Sequence, residues 1–196
     1  MQDSIILASA SPQRQKLLLG LGLTFSVVPS RINEAACTEP DPKKRALLLA
    51  REKAQEVADR HRGQWIIGCD TFVVAHDGTL LEKPADAAEA RAMMTLQSGG
   101  CSMVYSGLVL LSPTGVCEDG VSISAVHFRS LTPAEIDRWI ASNIWRERSG
   151  AFQIDGPGQL LIERLEGDWT GVVGFPVYLF GELARKAGME LPSVAD

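Results

Sequence analysis

The spacing of apolar and polar positions divides the chain into short strands and amphipathic helices. Ile5–Ala8 is a run fit for a short buried strand. Ser11-Pro12 follows as a helix start, with a hydroxyl N-cap and proline at the first helical position. That helix carries Leu17, Leu18 and Leu21 and is expected to stop at Gly20 or Gly22. Thr24–Val28 alternates as a second strand that Pro29 ends, and 30–42 reads as polar loop. Apolar positions at Ala46, Leu49, Ala50 and Val57 predict a helix over 43–60.

Trp65–Ala75 is almost continuously apolar, and His76-Asp77-Gly78 turns it back through Leu80-Leu81 as a hairpin. Asp86 with Glu89 reads as a capping box for a helix reaching Leu96, with Gly99 beyond its end. Strands are expected near 101–111 and 121–129. Thr132-Pro133 with Glu135 opens another helix through Trp139 and Ile140. The last third predicts strands near 151–154, 159–165 and 171–174, then a helix around 177–187 closed by Gly188. Strands mixed with helices make the class α/β, and the hairpins imply a mixed sheet.

Composition changes this picture only at its edges. The 196 residues suit one domain, 1–196, or at most two small lobes sharing a core, with no repeat or linker. A net charge of −5 argues against the basic surface that duplex nucleic acid demands. No basic leader or spanning apolar run is present, so neither a signal peptide nor a membrane partner is expected. Cys37, Cys69, Cys101 and Cys117 lack CxxC spacing, and the three histidines are scattered. A cytoplasmic protein with free thiols is the reading, and any metal would be oxygen-ligated.

Candidate chemistry sits where local rules are broken. Arg14 falls at the third helical position, where the macrodipole disfavours a cation by roughly 0.3 kcal/mol or more. An anion held by the free amides behind Ser9-Ala10-Ser11 would relieve that; a solvated arginine is the alternative. Lys53 lies on or beside the buried stripe of its helix, from which a lysine can also snorkel outward. Asp70 interrupts a run otherwise fit for a buried strand, and reads as the acid at a strand's end. Unpartnered, its burial would cost several kcal/mol, so it needs a metal, a cation or donated hydrogen bonds. With Lys83 and Glu34 added, three cations, two acids and a helix N-terminus describe a site for a phosphorylated ligand and a divalent ion.

At these same residues the sequence resembles the Maf family of nucleoside triphosphate pyrophosphatases. The matching blocks are Leu7-Ala8-Ser9-Ala10-Ser11-Pro12-Gln13-Arg14, Leu49-Ala50-Arg51-Glu52-Lys53-Ala54, Ile66-Ile67-Gly68-Cys69-Asp70-Thr71 and Glu82-Lys83-Pro84. Val104-Tyr105-Ser106-Gly107, Ser149-Gly150-Ala151-Phe152 and Val172-Val173-Gly174-Phe175-Pro176 continue the series in the family's order. The resemblance implies a mixed twisted sheet with flanking helices, two lobes around a central cleft and an inosine-triphosphatase-like fold. It also implies a cytoplasmic enzyme, a homodimer, and a reaction that cleaves a nucleoside triphosphate to monophosphate and pyrophosphate with Mg²⁺ or Mn²⁺. Ser9, Arg14, Lys53 and Lys83 would hold the triphosphate, Glu34 and Asp70 the metal, and Asp70 would activate water. A non-catalytic nucleotide-binding regulator is the competing reading, since family members are linked to septum formation and cell-division arrest. Trp139, Trp145 and Trp169 include candidate dimer anchors, with core or loop packing as the alternative.

Departures from the family pattern concern the base more than the phosphates. Positions matching Gln13, Thr71 and Asp155 separate a branch acting on dTTP and UTP (usually Arg, Thr and Gln) from one preferring 7-methyl-GTP. Thr71 sides with the first, Asp155 is chemically nearer the second, and Gln13 matches neither. Asn33, Ile144, Arg148 and Phe152 also depart, from the family's Asp, Glu, Lys and Tyr. Ionised Asp155 can accept the ring N–H of a uracil or thymine, and Gln13 can donate to a carbonyl. The expectation is therefore activity on pyrimidine triphosphates or modified ones, with only moderate preference between bases.

Overall fold

Alternation along the strands sorts apolar side chains onto opposite faces of a sheet, and helices cover them. The computed structural model describes residues 4–192, so the ends of the expected 1–196 domain lie outside the described residues. The strands are β1 (Ile5–Leu7), β2 (Phe25–Val27), β3 (Trp65–Val74), β4 (Leu80–Leu81), β5 (Cys101–Leu111), β6 (Cys117–Phe128) and β7 (Ile162–Glu166). They run in the order β2-β1-β3-β5-β6-β7, with β4 beside β3. β1 is parallel to both β2 and β3, whereas β4 and β7 are antiparallel to their neighbours, so the sheet is mixed as expected. The helices are α1 (Pro12–Gly20), α2 (Pro42–Arg60), α3 (Ala87–Gln97), α4 (Pro133–Ala141), α5 (Trp169–Val173) and α6 (Val177–Ala187).

The chain divides into two units, and β3, β5 and β6 each contribute residues to both. The first unit comprises Met1–Asp70, Ser106–Ser122 and Gly174–Asp196. On one face of its strands, Ile5, Leu7, Ile67, Cys69, Leu108 and Leu110 pack with Leu18 of α1 and Phe180 and Leu183 of α6. On the other, Ile6, Ile66 and Val109 pack with Ala50, Ala54 and Val57 of α2. That second layer is thin because both partners are stripped to small residues. A Cβ on Gly68 would lie 2.3 Å from the Ala50 carbonyl oxygen, and one on Gly107 would lie 2.2 Å from that of Ala46. The stripe Ala46, Ala50, Ala54 thus rests almost directly on the backbones of β3 and β5.

The second unit comprises Thr71–Tyr105 and Ile123–Val173. Its core gathers Val73, Val104, Val126 and Phe128 from strands with Met94 of α3, Ile136 and Trp139 of α4, and Trp145, Phe152 and Ile154 from the segment after α4. Trp139 and Trp145 are buried and donate their indole N–H to the Ala151 and Ile140 carbonyls. Their apolar bodies are spent on this core, which removes them as dimer anchors; Trp169 stays 39% exposed. α4 opens with a complete capping box between Thr132 and Glu135. Arg129, and then the Thr132 backbone and hydroxyl, hold the Glu135 carboxyl down to about 2. In α3 the Glu89 carboxylate instead accepts from Ala85 N, one residue before the Asp86 cap, so the expected box is displaced.

Two expected strands are absent. The β-branched pair Val172-Val173 of 171–174 sits in α5, because Asp168 accepts from the Thr170 N–H and hydroxyl and its carbonyl takes the Val172 N–H. That local capping overrides strand propensity. At 151–154 the positive φ of Gly150 (71°) and Ala151 (57°) turns the chain out of any ladder. β7 begins only at Ile162, a 3-10 turn over Pro157–Leu161 replacing the first residues of its expected span. Among the described residues no helix is long and apolar enough to cross a membrane, and the four cysteines are free.

Two outcomes are expected from this packing. Gly68→Ala forces a methyl against the Ala50 carbonyl and should lower stability by about 1–3 kcal/mol, read as a reduced denaturant midpoint. Glu135→Gln should destabilise at neutral pH. A carboxyl depressed in the fold stabilises above its unfolded value of 4.5 and loses that contribution as pH falls toward about 2. The wild-type advantage over Glu135→Gln, measured by denaturation at a series of pH values, should therefore shrink steadily below pH 4.5.

Candidate active site

The thin layer between α2 and β3 decides where the first group of polar residues meets. Gly68 and Asp70 lie on the same face of β3, since side chains two apart share a face. Lys53 stands one turn beyond Ala50 on the helix that crosses Gly68. With the backbones so close, the Lys53 ammonium reaches Asp70 Oδ1 at 2.5 Å and Glu34 Oε1 at 2.9 Å. Lys53 and Asp70 are 7% and 6% exposed, so Lys53 does not snorkel away but turns onto the carboxylates. Glu34, by contrast, is more than half exposed and opens a 3-10 turn over Glu34–Ala36 whose Asn33 cap makes no side-chain bond.

A buried pair of this kind is a poor source of stability. Desolvating both ions costs several kcal/mol, and their attraction offsets this only with good geometry. One ammonium facing two carboxylates leaves the cluster one negative charge in excess. Asp70 Oδ2 receives no hydrogen bond from any described residue, so one lone-pair face stays available. The strand continues through Val73 and Val74 to pair with β4, which places Asp70 inside the strand and corrects its reading as a strand-end acid.

Arg14 resolves its conflict with the α1 dipole through neutral acceptors. It is 9% exposed, donating from Nε to the Gly174 carbonyl (2.8 Å) and from an Nη1 to Ser9 Oγ (2.9 Å) and the Cys69 carbonyl (2.8 Å). Cys69 also gives its thiol hydrogen to Gly174 O. Arg14 thus ties the loop before α1 to the residue preceding Asp70. Ser9 accepts additionally from the Ser11 N–H, and Ser11 caps α1 while donating its hydroxyl to Gln13 Oε1.

In the second unit one segment, 147–155, engages every remaining candidate. Glu147 pairs with Lys83 at 3.1 Å and Arg148 with Asp155 at 3.3 Å. Ser149 Oγ donates to the carbonyl of Thr71, and Gly150 N donates to that of Glu82, next to Lys83. The fully buried Gln97 donates to Gly150 O at 2.6 Å and to Met93 O while accepting from Ser102. Asn143, Glu147 and Ala151 are held at φ of 57°, 59° and 57°. Left-handed backbone costs a non-glycine residue on the order of 1–2 kcal/mol, so the stretch is strained where it touches the candidates.

The sequence pointed to Lys83, Thr71 and Asp155 individually but not to Glu147 and Ser149 as partners of the first two, nor to Gln97 as the anchor of Gly150. Gln97 lay in a stretch legible only as a helix end, and no local pattern marks a left-handed Glu147. The structure brings Glu34, Lys53 and Asp70 together and joins Ser9 with Arg14. Lys83 and Asp155 belong to the second unit, and Thr71 follows Asp70 directly in β3. Among the described residues no group of three or more His, Cys, Asp or Glu gathers.

Comparison with known proteins finds relatives over nearly the whole chain. A dTTP/UTP pyrophosphatase of Deinococcus radiodurans is 45% identical over 185 residues, covering 94% of this chain and 93% of that protein. A dTTP/UTP pyrophosphatase of Syntrophotalea carbinolica is 41% identical, covering 95% and 86%. Among solved structures, a HAM1 protein from Coxiella burnetii superposes with a TM-score of 0.51 at 13% identity, over 96% of this chain and 99% of that one, a likeness of fold. The sequence model described as Maf-like protein matches residues 4–187, and with it the chain belongs to the Maf family.

Proposed function

We propose that the protein hydrolyses nucleoside triphosphates, with dTTP and UTP as its substrates, to the monophosphate and pyrophosphate. The observation that carries the reading is Asp70, buried in β3 and facing Lys53 together with Glu34. Relatives that match over nearly their whole length are dTTP/UTP pyrophosphatases, which supports the same substrates here.

In the reaction, water adds to the α-phosphorus and gives a proton to Asp70. The bond to the oxygen bridging the α- and β-phosphorus breaks, and its electron pair leaves with pyrophosphate. Asp70 suits the role because Oδ1 is anchored by Lys53 while Oδ2 keeps an open face. Lys53 and Lys83 supply positive charge to the phosphates and Ser9 a hydroxyl. Arg14 adds its charge while bracing Ser9 and the Cys69 carbonyl. Glu34 and Asp70 would hold Mg²⁺ or Mn²⁺, each through the carboxylate oxygen that Lys53 does not engage, the oxygen donors that a hard cation accepts. Such an ion, when bound, supplies further neutralisation of charge on the phosphates.

For the base, Gln13 offers amide donors, and Asp155, one oxygen of which is held by Arg148, keeps acceptor capacity for the ring N–H. Gln13 gives no aromatic face against which a charged 7-methylguanine ring would stack.

Pyrophosphate release from dTTP, UTP and 7-methyl-GTP, with Mg²⁺, Mn²⁺ or a chelator, tests the reading. Asp70→Asn should lower kcat by about 100-fold or more while its thermal melt shows a folded protein. Release from none of these nucleotides, or an Asp70→Asn enzyme as active as wild type, would overturn it. Asp155→Gln should raise the preference for dTTP and UTP over 7-methyl-GTP without abolishing release; an unchanged ranking would remove Asp155 from the base site.

A further inference from the structure

Ser11 does two things with one hydroxyl. As N-cap of α1 its oxygen accepts the Arg14 backbone N–H. Its single hydrogen must then go elsewhere, and it goes to Gln13 Oε1 at 3.0 Å. The loop around it is pinned, because Ser11 N donates to Ser9 Oγ, which also receives the buried Arg14 guanidinium. The oxygen end of the Gln13 amide therefore faces Ser11. Its nitrogen end faces away, with two N–H donors that no described residue accepts, on a half-buried side chain.

We propose that Ser11 is the positioning residue that sets base preference, by holding the Gln13 amide with its nitrogen outward. A pyrimidine whose C4 carries a carbonyl then meets a donor, whereas the C4 amino group of cytosine meets a second donor and leaves both unpaired. Uridine and thymidine triphosphates are favoured over cytidine triphosphate for this reason. The inference rests on the reading of Gln13 as a base contact, and it concerns how that contact acquires its polarity.

The hydrogen of the hydroxyl is the element to test, and capping must be kept constant while it is removed. Ser11→Asp caps a helix as well as serine does but has no hydrogen to give. Its carboxylate attracts the Gln13 nitrogen and turns the oxygen outward, toward an amino group. The readout is the ratio of kcat/KM for UTP to that for CTP. Both substrates carry the same triphosphate, so added charge or lost helix stability lowers both and leaves the ratio alone.

Ser11→Thr should keep the wild-type ratio, Ser11→Ala should reduce it, and Ser11→Asp should shift it toward CTP by about tenfold, the worth of one hydrogen bond. Gln13→Ala, measured alongside, should also reduce the ratio, leaving the part that Asp155 supplies through the ring N–H. If Gln13→Ala changes the ratio while Ser11→Ala and Ser11→Asp keep it at the wild-type value, the inference is overturned and Gln13 remains a base contact. If Gln13→Ala itself leaves the ratio unchanged, Gln13 does not read the base and the inference falls with that reading.

Discussion

The structure depends on how closely α2 lies against β3 and β5. Helices usually stand off a sheet by the thickness of two side-chain layers. Here the helix stripe is alanine and the strands offer Gly68 and Gly107, so carbonyl oxygens of the helix sit where a Cβ would be. Dispersion contacts between bare backbones replace those of larger side chains. The functional consequence is reach. Lys53 emerges one turn after Ala50, and Asp70 two residues after Gly68, so a long side chain and a short one meet at 2.5 Å with little solvent between them. A bulkier stripe would lift the ammonium away and leave a carboxylate buried without a partner.

That pair illustrates a conflict between stability and chemistry. A buried Asp facing a buried Lys is commonly no more stable than apolar residues of similar volume. Its value lies in holding an acid aimed from a fixed position in a strand. Glu34, on a short and more exposed turn, adds a second carboxylate to the same ammonium. The two acids thus come from different kinds of element, one from β3 and the other from a short 3-10 turn.

The second unit solves a similar problem with strain. Segment 147–155 carries left-handed residues and holds Thr71, Glu82, Lys83 and Gln97 through side-chain and backbone hydrogen bonds. The buried Gln97 is the fixed point, since all its polar atoms are engaged. Core anchors on either side, Trp145 and Phe152, over-determine the turn and so offset its unfavourable backbone.

Much was legible from sequence alone because local rules act over a few residues. Ser11-Pro12 and Thr132-Pro133 with Glu135 each open a helix as their chemistry requires, and Gly188 ends the last in a left-handed turn. Arg14, Lys53 and Asp70 stood out because each violated its surroundings, and the structure supplies each with partners. What tertiary structure alone decided were partners distant in sequence. Arg14 finds Gly174 and Cys69, Lys83 finds Glu147, and Gln97 finds Gly150. The left-handed turn at Gly150-Ala151 belongs with these, whereas the helix at Trp169–Val173 is set locally by the Asp168 cap. A residue's misfit is written in its neighbours along the chain, but the group that satisfies it depends on which backbones pack closely enough to bring it there.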